Sequence, residues 1–255
     1  MYDIESRRAA LELCAAGHSL NSVSRHTGIS RSTLRAWRAR PQPLTPRTGC
    51  WRCARDAAPH ASAYSYLLGL YLGDGCISAQ PNGVHRLRIF CSDAWPGLVN
   101  ACESALRATM PSRSVSRVHK QGCQEVASYS KHWTCLFPQH GPGRKHERRI
   151  ALEPWQRDIV DAHPWELIRG LIHSDGCRIT NWATRQVGGV RKRYEYPRYF
   201  FTNTSADIIR IYTDTLTRVG VEWRASARHG GSGVNVSVAR KASVALMDAH
   251  VGPKY

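Results

Sequence analysis

Leu67-Leu68-Gly69-Leu70-Tyr71-Leu72-Gly73-Asp74-Gly75 is an apolar run interrupted by two glycines four residues apart and closed by Asp-Gly. The pattern returns in degenerate form at Ile168-Arg169-Gly170-Leu171-Ile172-His173-Ser174-Asp175-Gly176, with Gly170 and Ser174 at the small positions. The two acids are about 100 residues apart, one small-domain length. Residues four apart share a helix face, so Gly69 with Gly73 and Gly170 with Ser174 each form a smooth stripe on which two helix backbones can meet. The closing glycine suits a left-handed position just past a helix end, which places Asp74 and Asp175 in the last turn. A carboxylate there faces the negative end of the helix dipole, and two packed helices bring two such carboxylates together. A cation between them resolves both problems. The alternative is a pair of core helices that happen to end in Asp-Gly.

The two nine-residue motifs and their spacing resemble the LAGLIDADG homing endonucleases, in the form that carries both copies on one chain. The resemblance implies two pseudo-symmetric αββαββα halves whose motif helices, through Gly69, Gly73, Gly170 and Ser174, form the interface. It also implies that Asp74 and Asp175 bind a catalytic divalent cation, Mg²⁺ by expectation. Arg169 and His173 are departures in the second copy. Lys131 and Lys241 stand at matching places, each just before the last helix of its half, and the resemblance implies a lysine there that orients the attacking water or steadies the transition state. Either lysine can equally be a solvated residue at a helix start.

Charge points the same way. The chain has 255 residues, a formal net charge of +17 and hydrophobic residues at 42%; its pI is about 10.0. A surplus of that size in a folded chain favours a polyanion, most often nucleic acid. A membrane surface is the competing reading, but the sequence has no clustered polybasic tail and no apolar run of transmembrane length. Lysine occurs only at 120, 131, 145, 192, 241 and 254, so most of the 36 basic residues are arginines, whose planar fork suits phosphates and guanine edges. Nine cysteines without a secretory leader argue for free thiols in a reducing cytoplasm; a bacterial or phage-like setting is expected.

In chain order, residues 1–41 read as a three-helix helix-turn-helix. Ser19 or Asn21 can cap the second helix and Ser30 the third, Thr27-Gly28 is the turn, and an arginine-rich third helix offers Arg31, Ser32, Thr33, Arg35 and Arg38 to DNA. A generic three-helix cap with a solvated basic face is the bland alternative. Residues 42–61 read as a Pro-bearing linker holding Cys50-Trp51-Arg52-Cys53. That pair is half a tetrahedral zinc site whose other ligands would be His60 or a distant cysteine, or else an ordinary loop thiol pair. Residues 62–140 form the first half, 141–163 a bridge with a helix over 154–162, and 164–255 the second half. Expected strands cover 85–91, 177–187, 221–228 and 234–238, with helices over 131–137 and 241–250; residues 229–233 join the last two strands. Strand arginines Arg86, Arg88, Arg178, Arg191, Arg193, Arg224 and Arg228 are candidate DNA contacts, each of which can instead be solvent-facing.

The reading that follows is a monomeric, site-specific endonuclease making metal-dependent double-strand cuts in DNA. The alternative is a transcription regulator that keeps the scaffold for binding without cutting; an RNA-splicing maturase is a third possibility. No phosphate-binding GxxxxGK[ST] loop and no HNH-like histidine cluster is present in the sequence.

Overall fold

The computed structural model describes residues 4–39, 50–54, 57–58, 60–228 and 232–255. The chain divides into two compact units, Met1–Thr48 and Gly49–Tyr255. The prolines expected to form the linker at 41, 43, 46 and 59, and the turn at 229–231, lie outside the described residues.

The first unit holds α1 (Ile4–Ala15), α2 (Leu20–Thr27) and α3 (Arg31–Ala39). Ser19 caps α2, its Oγ accepting from the Ser22 amide at 3.2 Å, and Gly28 ends it in the left-handed conformation at φ 70°. The Thr33 amide donates to Ser30 Oγ at 3.2 Å, which starts α3. Ala10, Val23, Ile29 and Leu34 are buried between the helices, with Leu13, Leu20 and Trp37 packed against them. Arg31, Ser32, Arg35 and Arg38 remain exposed on α3, and Thr33 half-buried.

The second unit begins with a four-residue helix, α4 (Trp51–Ala54), and then two copies of one arrangement. Cys50 and Trp51 are buried in the unit's core, so residues from 50 onward, expected as linker, belong to this unit. The first copy runs α5 (Ala61–Leu72), β1 (Gly75–Gln80), β2 (Val84–Ser92), α6 (Pro96–Thr109), β3 (Val115–Lys120), β4 (Cys123–Ser130) and α7 (Trp133–Leu136). A bridge follows with α8 (Pro154–Ala162). The second copy is α9 (Pro164–Asp175), β5 (Gly176–Val187), β6 (Val190–Asn203), α10 (Ala206–Arg218), β7 (Arg224–Ala227), β8 (Val234–Val238) and α11 (Lys241–His250). The two sheets share one topology, β1-β2-β4-β3 and β5-β6-β8-β7. This is the expected α+β class with duplicated αββαββα halves. Two elements come out shorter than their sequence suggests: the last helix of the first half has only four residues, and β7 starts at Arg224.

One continuous core runs from Leu67, Leu68 and Leu70 through Leu87, Ile89 and Val126 to Leu167, Leu171, Tyr199 and Phe201. Burying each of these larger side chains contributes about 1.5–3 kcal/mol. Strand alternation follows from the core: Leu87, Ile89 and Cys91 are buried, so Arg86 and Arg88 point from the opposite face of β2. In the second half the two-residue Gly188-Gly189 turn, both residues at positive φ, sets a register that pairs Arg178 with Tyr199 and Lys192 with Arg185. Among the described residues, no helix is long and apolar enough to cross a membrane.

Candidate functional site

The site is built where α5 and α9 touch. A β-carbon added at Gly170 would lie 2.2 Å from the Tyr66 carbonyl oxygen and 2.9 Å from Gly69 Cα; one added at Gly69 would lie 2.6 Å from the Leu167 carbonyl oxygen. Backbone therefore meets backbone, which only glycine at both positions permits. At the next turn Gly73 faces Ser174, whose Oγ would be 2.1 Å from an added β-carbon. Ser174 Oγ turns back to donate to the Gly170 or Leu171 carbonyl, each at 3.0 Å. The closing glycines have a different cause from the one the sequence suggests. Gly176 is extended (φ −103°, ψ 175°), not left-handed. A β-carbon at Gly75 would strike Tyr71 Cα at 2.5 Å, and one at Gly176 would strike Ile172 Cα at 2.7 Å. Glycine is needed there because each first strand folds back tightly against its own helix.

The close approach delivers both acids to one place. Asp175 Oδ2 is 3.3 Å from where a Gly73 β-carbon would sit, beside the start of Asp74. Asp74 is exposed as a whole residue, while Asp175 is half-buried. Burial and then the neighbouring Asp175 charge push the Asp74 carboxyl up to about 6, against the pull of Lys254 and Lys145. Burial likewise raises Asp175, opposed by a hydrogen bond that Asn203 Nδ2 donates to its Oδ2 at 2.7 Å and by the same two lysines.

Those lysines are the site's unexpected members. Lys145 Nζ donates to the carbonyls of Tyr71, Leu72 (3.0 Å) and Gly73 (2.7 Å), closing the end of α5. Lys254 Nζ does the same for α9 at the Ser174 carbonyl, 2.8 Å away. Each ammonium satisfies carbonyls that a helix end leaves open and offsets the negative dipole end to which the acids add. Burial lowers Lys145 to about 8 and also lowers Lys254, although both carboxylates act to raise them. Lys131 and Lys241 are both exposed, and neither figures among the charges acting on Asp74 or Asp175. The lysines coupled to the acids reach in from the bridge and from the chain's end, where sequence repetition does not look. The only signal was rarity: both are among six lysines in a chain rich in arginine.

The polar departures in the second motif are accommodated locally. Tyr66 OH lies 2.9 Å from His173 Nδ1 across the helix interface, and burial lowers His173 to about 4, so the tyrosine donates to a neutral ring. Arg169 pairs with Glu166 at 2.7 Å and stacks 4.4 Å over the Tyr66 ring.

The sheet arginines separate by face. Arg86 and Arg88 lie opposite the core, with Arg86 paired to the buried Glu125 and 5.5 Å over Tyr129. Arg178 does not join them: it pairs in register with the buried Tyr199 and forks onto Asp248 of α11 at 2.6 and 2.9 Å. That pairing holds the Asp248 carboxyl below its usual range. Arg191 and Arg193 share that strand side by alternation and are exposed in the far part of the β5–β6 hairpin; Arg193 pairs with Glu195 at 2.7 Å. The opposite face carries Arg185, Lys192 and Arg198, which pair with Lys192, Arg185 and Ile179. Arg224, paired in register with Ser237, lies on the same face, and Arg228 is exposed just beyond it.

The helix ends carry two carboxylates, hard oxygen donors of the kind a divalent cation takes, while the carbonyls beside them are occupied by the two lysines. Burial is the first cause that raises each acid, and Lys145 and Lys254 already act to hold both ionised, the form in which a carboxylate takes a cation. Asp74 and Asp175 therefore fit such an ion.

Residues 1–43 match the model of a homeodomain-like domain. Among solved structures, I-DmoI in complex with DNA and Mn superposes with a TM-score of 0.52 at 13% identity, over 76% of this chain and 98% of that one. A variant of I-DmoI with its target DNA and Mg gives 0.51 at 13%, over 75% and 96%. Another, with nicked target DNA and Mn, gives 0.51 at 12%, over 76% and 97%. Searching curated proteins by sequence returned no match. The chain thus has the LAGLIDADG fold in its two-motif form, preceded by a homeodomain-like helix-turn-helix.

Proposed function

We propose that the protein is a monomeric, site-specific DNA endonuclease that makes Mg²⁺-dependent double-strand cuts. The observation that carries this reading is the pair of carboxylates, Asp74 and Asp175, brought together at the helix ends by a glycine-only helix contact. The fold's likeness to I-DmoI, seen with DNA and Mn, supports it. A divalent cation held there supplies Lewis acidity and an activated water. The chain's own part is to hold the two acids ionised and oriented, through Asn203 on Asp175 and the lysines at the helix ends. Those lysines, rather than the exposed Lys131 and Lys241, set positive charge beside the phosphate undergoing cleavage. Basic residues of the open sheet faces and of α3 would follow the duplex backbone.

The second reading, a non-cutting regulator, is favoured by the same lysines, since Lys145 and Lys254 already place two cations at the acids. Purified protein incubated with a randomised duplex library in Mg²⁺ and in EDTA, followed by sequencing of any new ends, separates the two. Ends that appear at one sequence only with Mg²⁺ support the nuclease.

Two expectations follow from the site. With subsaturating Mg²⁺, the cleavage rate rises with pH through about 6, because Asp74 must lose its proton to hold the cation. Saturating Mg²⁺ moves that limb to lower pH, since the cation competes with the proton. A pH–rate profile at two Mg²⁺ concentrations reads both; an acid limb that ignores Mg²⁺ removes Asp74 from the metal site.

Duplex affinity in EDTA falls about 10³-fold or more between low and physiological salt as counterions are released. Arg198→Ala and Arg224→Ala each reduce the magnitude of the log–log salt slope by about 1. Arg178→Ala leaves the slope unchanged, because its guanidinium is held by Asp248. A slope that drops with Arg178→Ala would place that residue on DNA after all.

A further inference from the structure

The Cys50–Cys53 pair does not stay a loop pair. Cys50, Cys53, His132 and Cys135 bring one ligand atom each to a point, all within 4.8 Å of one another. Cys53 Sγ is 3.2 Å from His132 Nδ1 and 3.5 Å from Cys135 Sγ, and Cys135 Sγ is 3.8 Å from His132 Nδ1. A tetrahedron with metal–sulfur bonds of about 2.3 Å has ligand atoms roughly 3.5–3.8 Å apart. The two pairs have matching spacing: Cys50 precedes α4 and Cys53 lies in it, and His132 caps α7 and Cys135 lies in it, each pair brought to one side by a single helical turn.

We propose that these four residues form a Cys₃His structural zinc site that fastens α4 to α7. Three thiolates and an imidazole are a donor set suited to zinc, and four protein ligands leave no open position for catalysis. The local architecture needs such a fastener. Both helices have only four residues, too short to persist by their own hydrogen bonds. Each has an aromatic anchor in the core. Trp51 packs edge-on against Tyr64 at 5.7 Å and against Trp155 at 5.3 Å, and Trp133 is fully buried and donates to the Ser128 carbonyl at 3.0 Å. Zinc ties the two anchored turns to each other near the start of the second unit. The site involves neither Asp74 nor Asp175, so its role is structural whether the protein cuts DNA or only binds it.

The test uses the full chain, purified without added metal or chelator. Elemental analysis returns about one zinc per chain. Exchange with Co²⁺ alone gives the intense visible bands of a tetrahedral site and a sulfur-to-cobalt charge-transfer band in the near ultraviolet. Cys53→Ser and His132→Ala lower the bound zinc about tenfold or more, whereas Cys123→Ser, in a thiol outside the cluster, keeps it. The wild-type cobalt spectrum decides the matter even if a ligand variant fails to fold. Zinc-free protein whose cluster thiols alkylate as fast as the exposed Cys177 would overturn the proposal. So would a Cys53–Cys135 disulfide, iron in place of zinc, or zinc lost equally with Cys123→Ser.

Discussion

Asp74→Asn lowers double-strand cleavage about 10³-fold or more while leaving duplex affinity in EDTA unchanged or slightly higher. Asn keeps the shape but not the charge that holds a divalent cation, and several kcal/mol of transition-state stabilisation leave with it. The same substitution makes the metal-free protein more stable. The folded-state Asp74 carboxyl stands at about 6, above the ordinary carboxylate range, so the fold disfavours its ionised form despite the lysines nearby. The sign follows: the destabilisation is fully present above about pH 6 and is relieved as pH falls through that value. Asp74→Asn therefore raises Tm near pH 7 by on the order of a few degrees, and the gain fades in acid. Asp175→Asn acts in the same direction on cleavage; its stability gain is smaller because the Asn203 hydrogen bond already favours the ionised form. Cleavage assays with thermal melts at two pH values read all of this. Wild type that occupies its site in Mg²⁺ and leaves the duplex whole would hand the function to the regulator reading. A lower Tm for Asp74→Asn would show that the acids and lysines form a net-stabilising cluster.

Much of this architecture can be read in the sequence because its determinants are local. Small residues four apart followed by Asp-Gly specify a helix, its buried face and its end within nine positions. Turn residues such as Asn82-Gly83 and Gly188-Gly189, all at positive φ, punctuate the strands. What escapes the sequence depends on closure in three dimensions. Lys145 and Lys254 reach their helix ends from segments with no motif of their own. His132 and Cys135 hide in a stretch whose pattern suggests a longer helix from Lys131, whereas the helix begins at Trp133 and leaves His132 at its cap. Arg178 is a matter of parity. One residue either way exchanges the core side for the open side of a strand, and only counting back from the Gly188-Gly189 turn reveals that it pairs with Tyr199. The closing glycines were legible as necessary but not for the right reason, because a close approach and a left-handed turn demand the same residue.

The helix contact itself is open to a sharper experiment than deletion of either acid. Gly170→Ala places a β-carbon 2.2 Å from the Tyr66 carbonyl oxygen and 2.9 Å from Gly69 Cα, both backbone atoms. Neither can rotate away, so the helices must separate along their length, at a cost of about 3 kcal/mol or more. For a unit of this size that lowers Tm by roughly 6–12 °C. The separation also spreads Asp74 from Asp175, so cleavage falls more than the stability loss alone requires at a temperature where the variant is folded. Gly73→Ala differs in kind, because its new methyl meets the Ser174 side chain, Oγ at 2.1 Å and Cβ at 2.5 Å. Removing that side chain makes room: Gly73→Ala with Ser174→Gly recovers most of the stability that Gly73→Ala loses, a coupling on the order of 1–3 kcal/mol in a double-mutant cycle. Gly170→Ala with Ser174→Gly recovers none, since its clash is with backbone one turn away. Thermal melts of the five variants and wild type measure both cycles. Equal recovery in the two, or in neither, would mean that α5 and α9 do not meet in the register Gly69–Gly170 and Gly73–Ser174, and the acids would lose the contact that brings them together.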